Sequence, residues 1–454
     1  MGNFFNKAED ESRAEEIRPG LQSASASTFS EAGQKSNAVA VETAEELDEA
    51  KTERKEKKKK ESKNVIQIES PRDSSNFYRV ELVWKTWDVY GDDTNVQHGS
   101  VNPKILYEAA KRNHPSAIPK HVKTLEDFIP LVTCLEQSAH LEEVLDKMEF
   151  YMAYLIDDKR AIIDMCKGFV KQQYEQQIYY TETRYSPHLL CSKVLTPEEV
   201  LVTILDALHE ASQSYGITVK SILCCMRNWK GGEKAQEVVD LAIKYQSKGV
   251  VGVDLAGSEQ AATSKEYKEF FDQVKNVKGL HITIHAGEAC GPESVKDALH
   301  NLHAERIGHG YRATEDEDVM KELRPIFSHF CNCQEIIIIT RAVRHIVLKD
   351  KDWSRHPIAI FAQKGVSFGI NTDDPCVMAT DYSHEVETCS QLIRLDEKTI
   401  LQSFVNSARA TFLNGEEKEK LVKTIEERVN KRVSVENISR KLKTDIIFRK
   451  YVKH

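Results

Sequence analysis

Short runs rich in β-branched and aromatic residues alternate with longer stretches of helical spacing, and this alternation constrains the chain more than any other feature. The runs are Val80–Leu82, Ile178–Arg184, Ile217–Met226, Gly249–Leu255, His281–His285, Arg306–His309, one within Ile326–Ile339, and Val366–Asn371. Between them lie patterns such as Glu199-Val-Leu-Val-Thr-Ile-Leu-Asp-Ala-Leu208 and Glu233-Lys-Ala-Gln-Glu-Val-Val-Asp-Leu-Ala-Ile243, apolar at helical intervals. A helix between two strands forces a crossover, and a crossover makes consecutive strands parallel. Eight such units predict an α/β fold, a (β/α)8 TIM-type barrel whose chemistry sits at the carboxyl ends of the strands. Beyond Lys398 the pattern turns helical again through Leu401–Leu413 and Glu416–Asn430, predicting extra C-terminal helices.

The 454 residues, 40% of them hydrophobic, suffice for one large domain with appendages. A net charge of −8 and a pI near 6.1 argue against nucleic acid as a partner, since phosphate binding wants a basic face. No apolar run reaches the roughly 20 residues of a membrane span, and the first residues lack the apolar stretch of a secretory signal, so a soluble, cytoplasmic protein is the expectation. The ten cysteines are scattered, with only Cys224-Cys225 and Cys331-Asn-Cys333 close together. That is not a disulfide framework, and a lone C-x-C is a weak metal signal.

Three regions follow: a charged tail over 1–75, expected to be disordered, a barrel over 76–427 and a basic C-terminal tail over 428–454. The start, Met1-Gly-Asn-Phe-Phe-Asn6, approaches a myristoylation signal but has Asn6 where Ser or Thr belongs. A lipid on Gly2 with the run Lys51–Lys63 as second signal would tether the chain to a membrane; the plainer reading, taken here, is a solvated tail. Oligomeric state is not legible.

The chemistry-bearing residues lie at strand ends. In Val366-Ser-Phe-Gly-Ile-Asn-Thr-Asp-Asp-Pro375 an apolar strand runs into two adjacent carboxylates, Asp373 and Asp374, which repel each other unless a cation or hydrogen-bonding ligand compensates. In His281-Ile-Thr-Ile-His-Ala-Gly-Glu288, alternation puts His281, Thr283 and His285 on one face, with His285 nearest the mouth. A loop through Gly287 can fold Glu288 back over whatever His285 holds, and a carboxyl in an apolar pocket can stay protonated to act as an acid. His309, flanked by Gly308 and Gly310, is suited to orienting or deprotonating a metal-bound water. Taken singly, a buried histidine, a surface glutamate and a tight turn would give the same letters.

Taken together, the chain resembles the adenosine deaminase family of the metal-dependent amidohydrolase superfamily. The resemblance rests on Thr181-Glu-Thr-Arg-Tyr-Ser-Pro-His-Leu-Leu190, Val253-Asp-Leu-Ala-Gly-Ser-Glu259, His285-Ala-Gly-Glu288, Glu305-Arg-Ile-Gly-His-Gly-Tyr311 and Asn371-Thr-Asp-Asp-Pro375, and spans roughly residues 78 to 427. It implies Zn2+ held by His285 and Asp373, protonation of the purine N1 by Glu288, and handling of the attacking water by His309. It further implies hydrogen bonds from Asp374 to N7 and from the Gly257 backbone N–H to N3. The reaction implied is hydrolytic deamination of adenosine or 2'-deoxyadenosine to inosine or 2'-deoxyinosine and ammonia, in purine nucleoside catabolism and salvage.

The sequence departs from that pattern twice. Where the family reads Val-Glu-Leu-His-x-His-Leu-Asp-Gly-Ser, this chain reads Val80-Glu-Leu82, then the insert 83–98, then Gly99-Ser-Val101, so both strand-one histidine ligands and the aspartate are missing. Asp88, Asp92, Asp93 and His98 are the substitutes the insert offers. Around strand seven, Cys331–Lys349 replaces the Cys-Pro and Ser-Ser-containing turn, bringing a run of four isoleucines, Ile336–Ile339. Altered exon boundaries or a mispredicted gene product would account for both, a hypothesis that sequencing the transcript tests. The alternative to the enzyme is a non-catalytic protein of the same fold with a crippled metal site, acting as a binding or scaffold protein.

Overall fold

The computed structural model describes residues 79–82, 103–134, 147–148, 150–229, 232–324, 335–339, 352–378 and 380–441, with the backbone alone at 79–82, 335–339 and 432–441. The tail 1–75, the insert 83–98 with His98, and the pair Cys331 and Cys333 lie outside the described residues.

Eight strands form one sheet: β1 (Arg79–Leu82), β2 (Ile178–Tyr185), β3 (Thr218–Met226), β4 (Val250–Ala256), β5 (His281–Ala286), β6 (Arg306–His309), β7 (Glu335–Ile339) and β8 (Phe368–Asn371). Every neighbouring pair is parallel and the spatial order equals the chain order. The last strand comes back to the first, β1 packing near β8, so the sheet curls into a (β/α)8 barrel. The run within Ile326–Ile339 resolves into Glu335–Ile339, whose isoleucines pair with β6 on one side and β8 on the other.

The helices are α1 (Pro103–Asn113), α2 (Leu125–Val132), α3 (Lys159–Glu175), α4 (Pro197–Tyr215), α5 (Ala235–Lys244), α6 (Lys268–Lys275), α7 (Pro292–His300), α8 (Glu317–Glu322), α9 (Pro357–Lys364), α10 (Tyr382–Gln391), α11 (Glu397–Ala410) and α12 (Gly415–Lys441). Their boundaries follow local chemistry. In α4 the hydroxyl of Thr196 accepts from the Glu199 N–H while the Glu199 carboxylate accepts from the Thr196 N–H, Pro197 opens the first turn, and Gly216 closes the helix at φ +67°. Its buried face, Val200, Leu201, Ile204, Leu205 and Leu208, belongs to the apolar layer between sheet and helices. Among the described residues no helix is long and apolar enough to cross a membrane.

Inside the barrel, alternation along β2 sends Glu182 and Arg184 inward on the same face. Glu182 forms the lower of two charged layers: its carboxylate accepts from Arg306 on β6 at 2.7 Å, from the Tyr180 hydroxyl at 2.7 Å and from the Phe412 N–H at 2.6 Å. The Phe412 ring lies under the Arg306 guanidinium at 3.5 Å and stacks on His281 at 4.7 Å, which plugs the floor. Arg184 forms the upper layer, at the mouth.

Candidate active site

The ends of five strands, β2, β4, β5, β6 and β8, and the loops behind them build the mouth. Pairing of β5 with β6 sets His285 opposite Gly308 and Ala286 opposite His309, so His309 stands one residue further toward the mouth than His285. Their ring centroids lie 5.0 Å apart. Beyond His285 the chain turns at Gly287, φ +69°, where a Cβ would come within 2.8 Å of Val295 Cγ2, and the turn brings Glu288 back over the rim. Its Oε2 stands 3.5 Å from His309 Nε2, while His309 Nδ1 is 2.9 Å from the Tyr311 hydroxyl. His309 and Asp373 both hold left-handed backbone, φ +65° and +55°, a conformation costly for side chains other than glycine and often found at functional sites.

Electrostatics sets the protonation of Glu288 and of the two imidazoles. Burial, and then the charges of Glu259 and Asp374, push the Glu288 carboxyl up to about 8, so it carries its proton at neutral pH. Burial and the Arg184 and Arg227 charges hold His285 well below the usual histidine range, and burial, His285 and Arg184 do the same for His309. Both imidazoles are therefore neutral. Burial likewise raises Asp254 to about 6.

Arg184 organises the centre. Its Nη1 donates to Asp254 Oδ2 at 2.8 Å, lies 3.1 Å from His285 Nδ1 and also contacts His285 Nε2. Burial opposes its charge, but the carboxylates of Asp254, Asp373 and Asp374 outweigh that and keep the guanidinium protonated. The structure thus gathers His285, Glu288, His309, Asp373 and Asp374 at one end of the barrel. Gly257 follows β4 directly at the same end, at φ +87°, where a Cβ would lie 3.4 Å from the Arg227 nitrogen.

Sequence reasoning left Arg184 and Asp254 without roles. The signal was present, because a charged residue inside a strand with buried neighbours on both sides needs a partner inside the barrel. Tyr311, the partner of His309, carried no comparable signal.

The fit to a zinc ion is partial. A neutral imidazole and a carboxylate, His285 and Asp373, are the right donor types, but a catalytic zinc takes three protein ligands. Among the described residues no three His, Cys, Asp or Glu side chains gather as a metal cluster, and the Arg184 cation already faces both ring nitrogens of His285. The described residues alone do not make a catalytic zinc site.

The family model and the curated relatives agree on one family, and the solved structures share the fold. The family model described as "Adenosine deaminase" matches residues 96–428. The adenosine deaminase of Xenopus laevis is 33% identical over 343 residues, covering 71% of this chain and 91% of that protein; that of Gallus gallus is 30% identical over 341 residues, covering 72% and 92%. Among solved structures, an adenine deaminase from Arthrobacter aurescens aligns with TM-score 0.65 at 20% identity, over 78% of this chain and 99% of that one. A cog1816 amidohydrolase with bound Zn from Burkholderia ambifaria aligns with TM-score 0.68 at 16% identity, over 82% and 96%. The Arabidopsis N6-mAMP deaminase aligns with TM-score 0.63 at 19% identity, over 78% and 99%.

Proposed function

Because the chain belongs to the adenosine deaminase family of metal-dependent hydrolases, we propose that its mouth binds adenosine or 2'-deoxyadenosine and removes the 6-amino group by hydrolysis, as part of purine nucleoside catabolism and salvage in the cytoplasm. The observation that carries this is the pairing of a protonated, buried Glu288 with a neutral His309 3.5 Å away. Glu288 donates its proton to purine N1, which draws electron density from C6 and opens that carbon to attack by water. His309, neutral and held at Nδ1 by Tyr311, accepts the proton that the attacking water gives up and returns it to the 6-amino nitrogen, so that the C6–N bond breaks and ammonia leaves. Asp374 meets N7 and the Gly257 N–H meets N3, which orients the ring so that C6 faces both groups.

His285 and Asp373 would hold Zn2+, completed by a ligand from outside the described residues, with His98 the candidate in the sequence. When bound, such an ion supplies a water acidified enough to act as nucleophile near neutral pH. The substrate choice is tested by measuring ammonia release from adenosine, 2'-deoxyadenosine, adenine, AMP and N6-methyl-AMP with the full chain in added zinc. Preference for the two nucleosides supports the reading, and preference for adenine or a nucleotide overturns it.

One observation favours a second reading. With Arg184 against His285 and no His-x-His after β1, the pocket has a built-in cation where the family would bring a metal. A protein that binds a purine nucleoside without turning it over would have this arrangement. Nucleoside affinity that persists in chelator, with no ammonia formed under any metal, would establish it.

A further inference from the structure

Glu259 lies beyond the end of β4, and its carboxylate is surrounded by donors from a different part of the chain. Oε1 accepts from the Gly287 N–H at 2.8 Å and the Ser294 hydroxyl at 2.9 Å. Oε2 accepts from the N–H groups of Glu288 at 3.0 Å, Ala289 at 2.6 Å and Cys290 at 2.8 Å. Four successive backbone amides thus converge on one carboxylate that is only 8% exposed. Such a convergence is an anion nest, here filled from within the protein by a side chain. The same loop is pinned from the other side, since the Arg312 N–H donates to the Gly287 carbonyl at 3.0 Å and Arg312 Nε to the Glu288 carbonyl at 3.4 Å.

We propose that Glu259 is a positioning residue for the proposed reaction: by filling the nest of amides 287–290 it fixes the loop so that the Glu288 carboxyl faces His309. The assignment rests on Glu288 being the acid. With both its N–H and its C=O anchored, Glu288 has little backbone freedom left, and its side chain is aimed before substrate arrives. The groups facing the Glu288 carboxyl are Glu259 and Asp374, which favour its protonated form, Arg184, which opposes it, and the neutral His309. Glu259 therefore acts on Glu288 through geometry and charge together. Five donors satisfying one carboxylate also explain how that charge stays buried.

The test uses the full chain and does not depend on turnover. The pH midpoint of the Glu288 carboxylic acid is read by infrared difference spectroscopy, its band assigned by loss in Glu288→Gln, and loop order is read by amide hydrogen exchange at 287–290. The parent protein should titrate near 8. Glu259→Gln should lower the midpoint by about one pH unit and speed exchange at 287–290 about tenfold, with β4 and β5 still protected. Glu259→Asp, which keeps the charge on a shorter arm, should speed exchange but restore most of the midpoint. An unmoved midpoint and unchanged exchange in Glu259→Gln overturn the assignment to Glu259 alone; a parent protein with no such titration overturns the acid reading of Glu288 and this assignment with it. Should Glu259→Gln fail to fold, Ser294→Ala decides, because loss of that hydroxyl must speed exchange at Gly287, and unchanged exchange there overturns the proposal.

Discussion

In the proposed reaction Glu288 is the acid, and a carboxyl can serve as acid at neutral pH only if its surroundings make ionisation costly. Burial and the Glu259 and Asp374 charges do that here. Glu288→Gln should lower kcat by about 10²–10⁴-fold while leaving the zinc content of the purified protein unchanged; steady-state kinetics with elemental analysis checks both. With the acid form required, kcat/KM should fall as pH rises through about 8. The same shift predicts a stability trend. The folded-state value lies above the ordinary one, so the contribution of Glu288 to stability is complete below about 4.5 and is lost as pH rises through about 8. Urea unfolding of the parent and of Glu288→Gln across that window should show the parent losing more stability with rising pH; parallel curves would contradict it. His285→Ala should abolish metal binding, and unchanged zinc content would remove His285 as a ligand.

At the scale of elements, β2 does two jobs with one alternation, sending Glu182 to the floor and Arg184 to the mouth. The floor pair makes a clear prediction. Arg306→Met leaves the fully buried Glu182 carboxylate without its counter-charge, a loss of about 3–5 kcal/mol measurable by denaturant unfolding. Gly252→Ala on β4 should also destabilise, since its Cβ would sit 2.9 Å from the His281 carbonyl and 3.1 Å from the Phe412 ring. The strands were legible because β-branched and apolar residues cluster where the sheet is buried on both faces. In Arg306–His309 the prediction and the element coincide, and elsewhere they differ by a residue or two at the ends, except that the seventh run, placed only within Ile326–Ile339, narrows to Glu335–Ile339. The charged layers were not legible as pairs: Glu182 meets Arg306 across 124 residues, and no local pattern in either strand names the other. The nest around Glu259 was hidden for the same reason, as its donors come from a loop nearly thirty residues downstream.

For the whole molecule, the consecutive parallel order β1 to β8 brings residues from five strand ends to one mouth, and only that closure turns separate His, Glu and Asp motifs into a site. The sequence pattern pointed to His285, Glu288, His309, Asp373 and Asp374, and all five lie at that mouth, His285 and His309 in the last residues of their strands and the others two or three residues beyond. It signalled that Arg184 needs a partner inside the barrel but not which one, since its partners come from β4, β5 and the segment after β8. If this mouth hydrolyses a purine nucleoside with a metal held by His285 and Asp373, zinc and turnover must occur together, as measured by zinc content and loss of adenosine absorbance on one preparation of the full chain. Near-stoichiometric zinc with turnover that a chelator removes is the predicted result, and a metal-free, inert protein in zinc-containing buffer would contradict it.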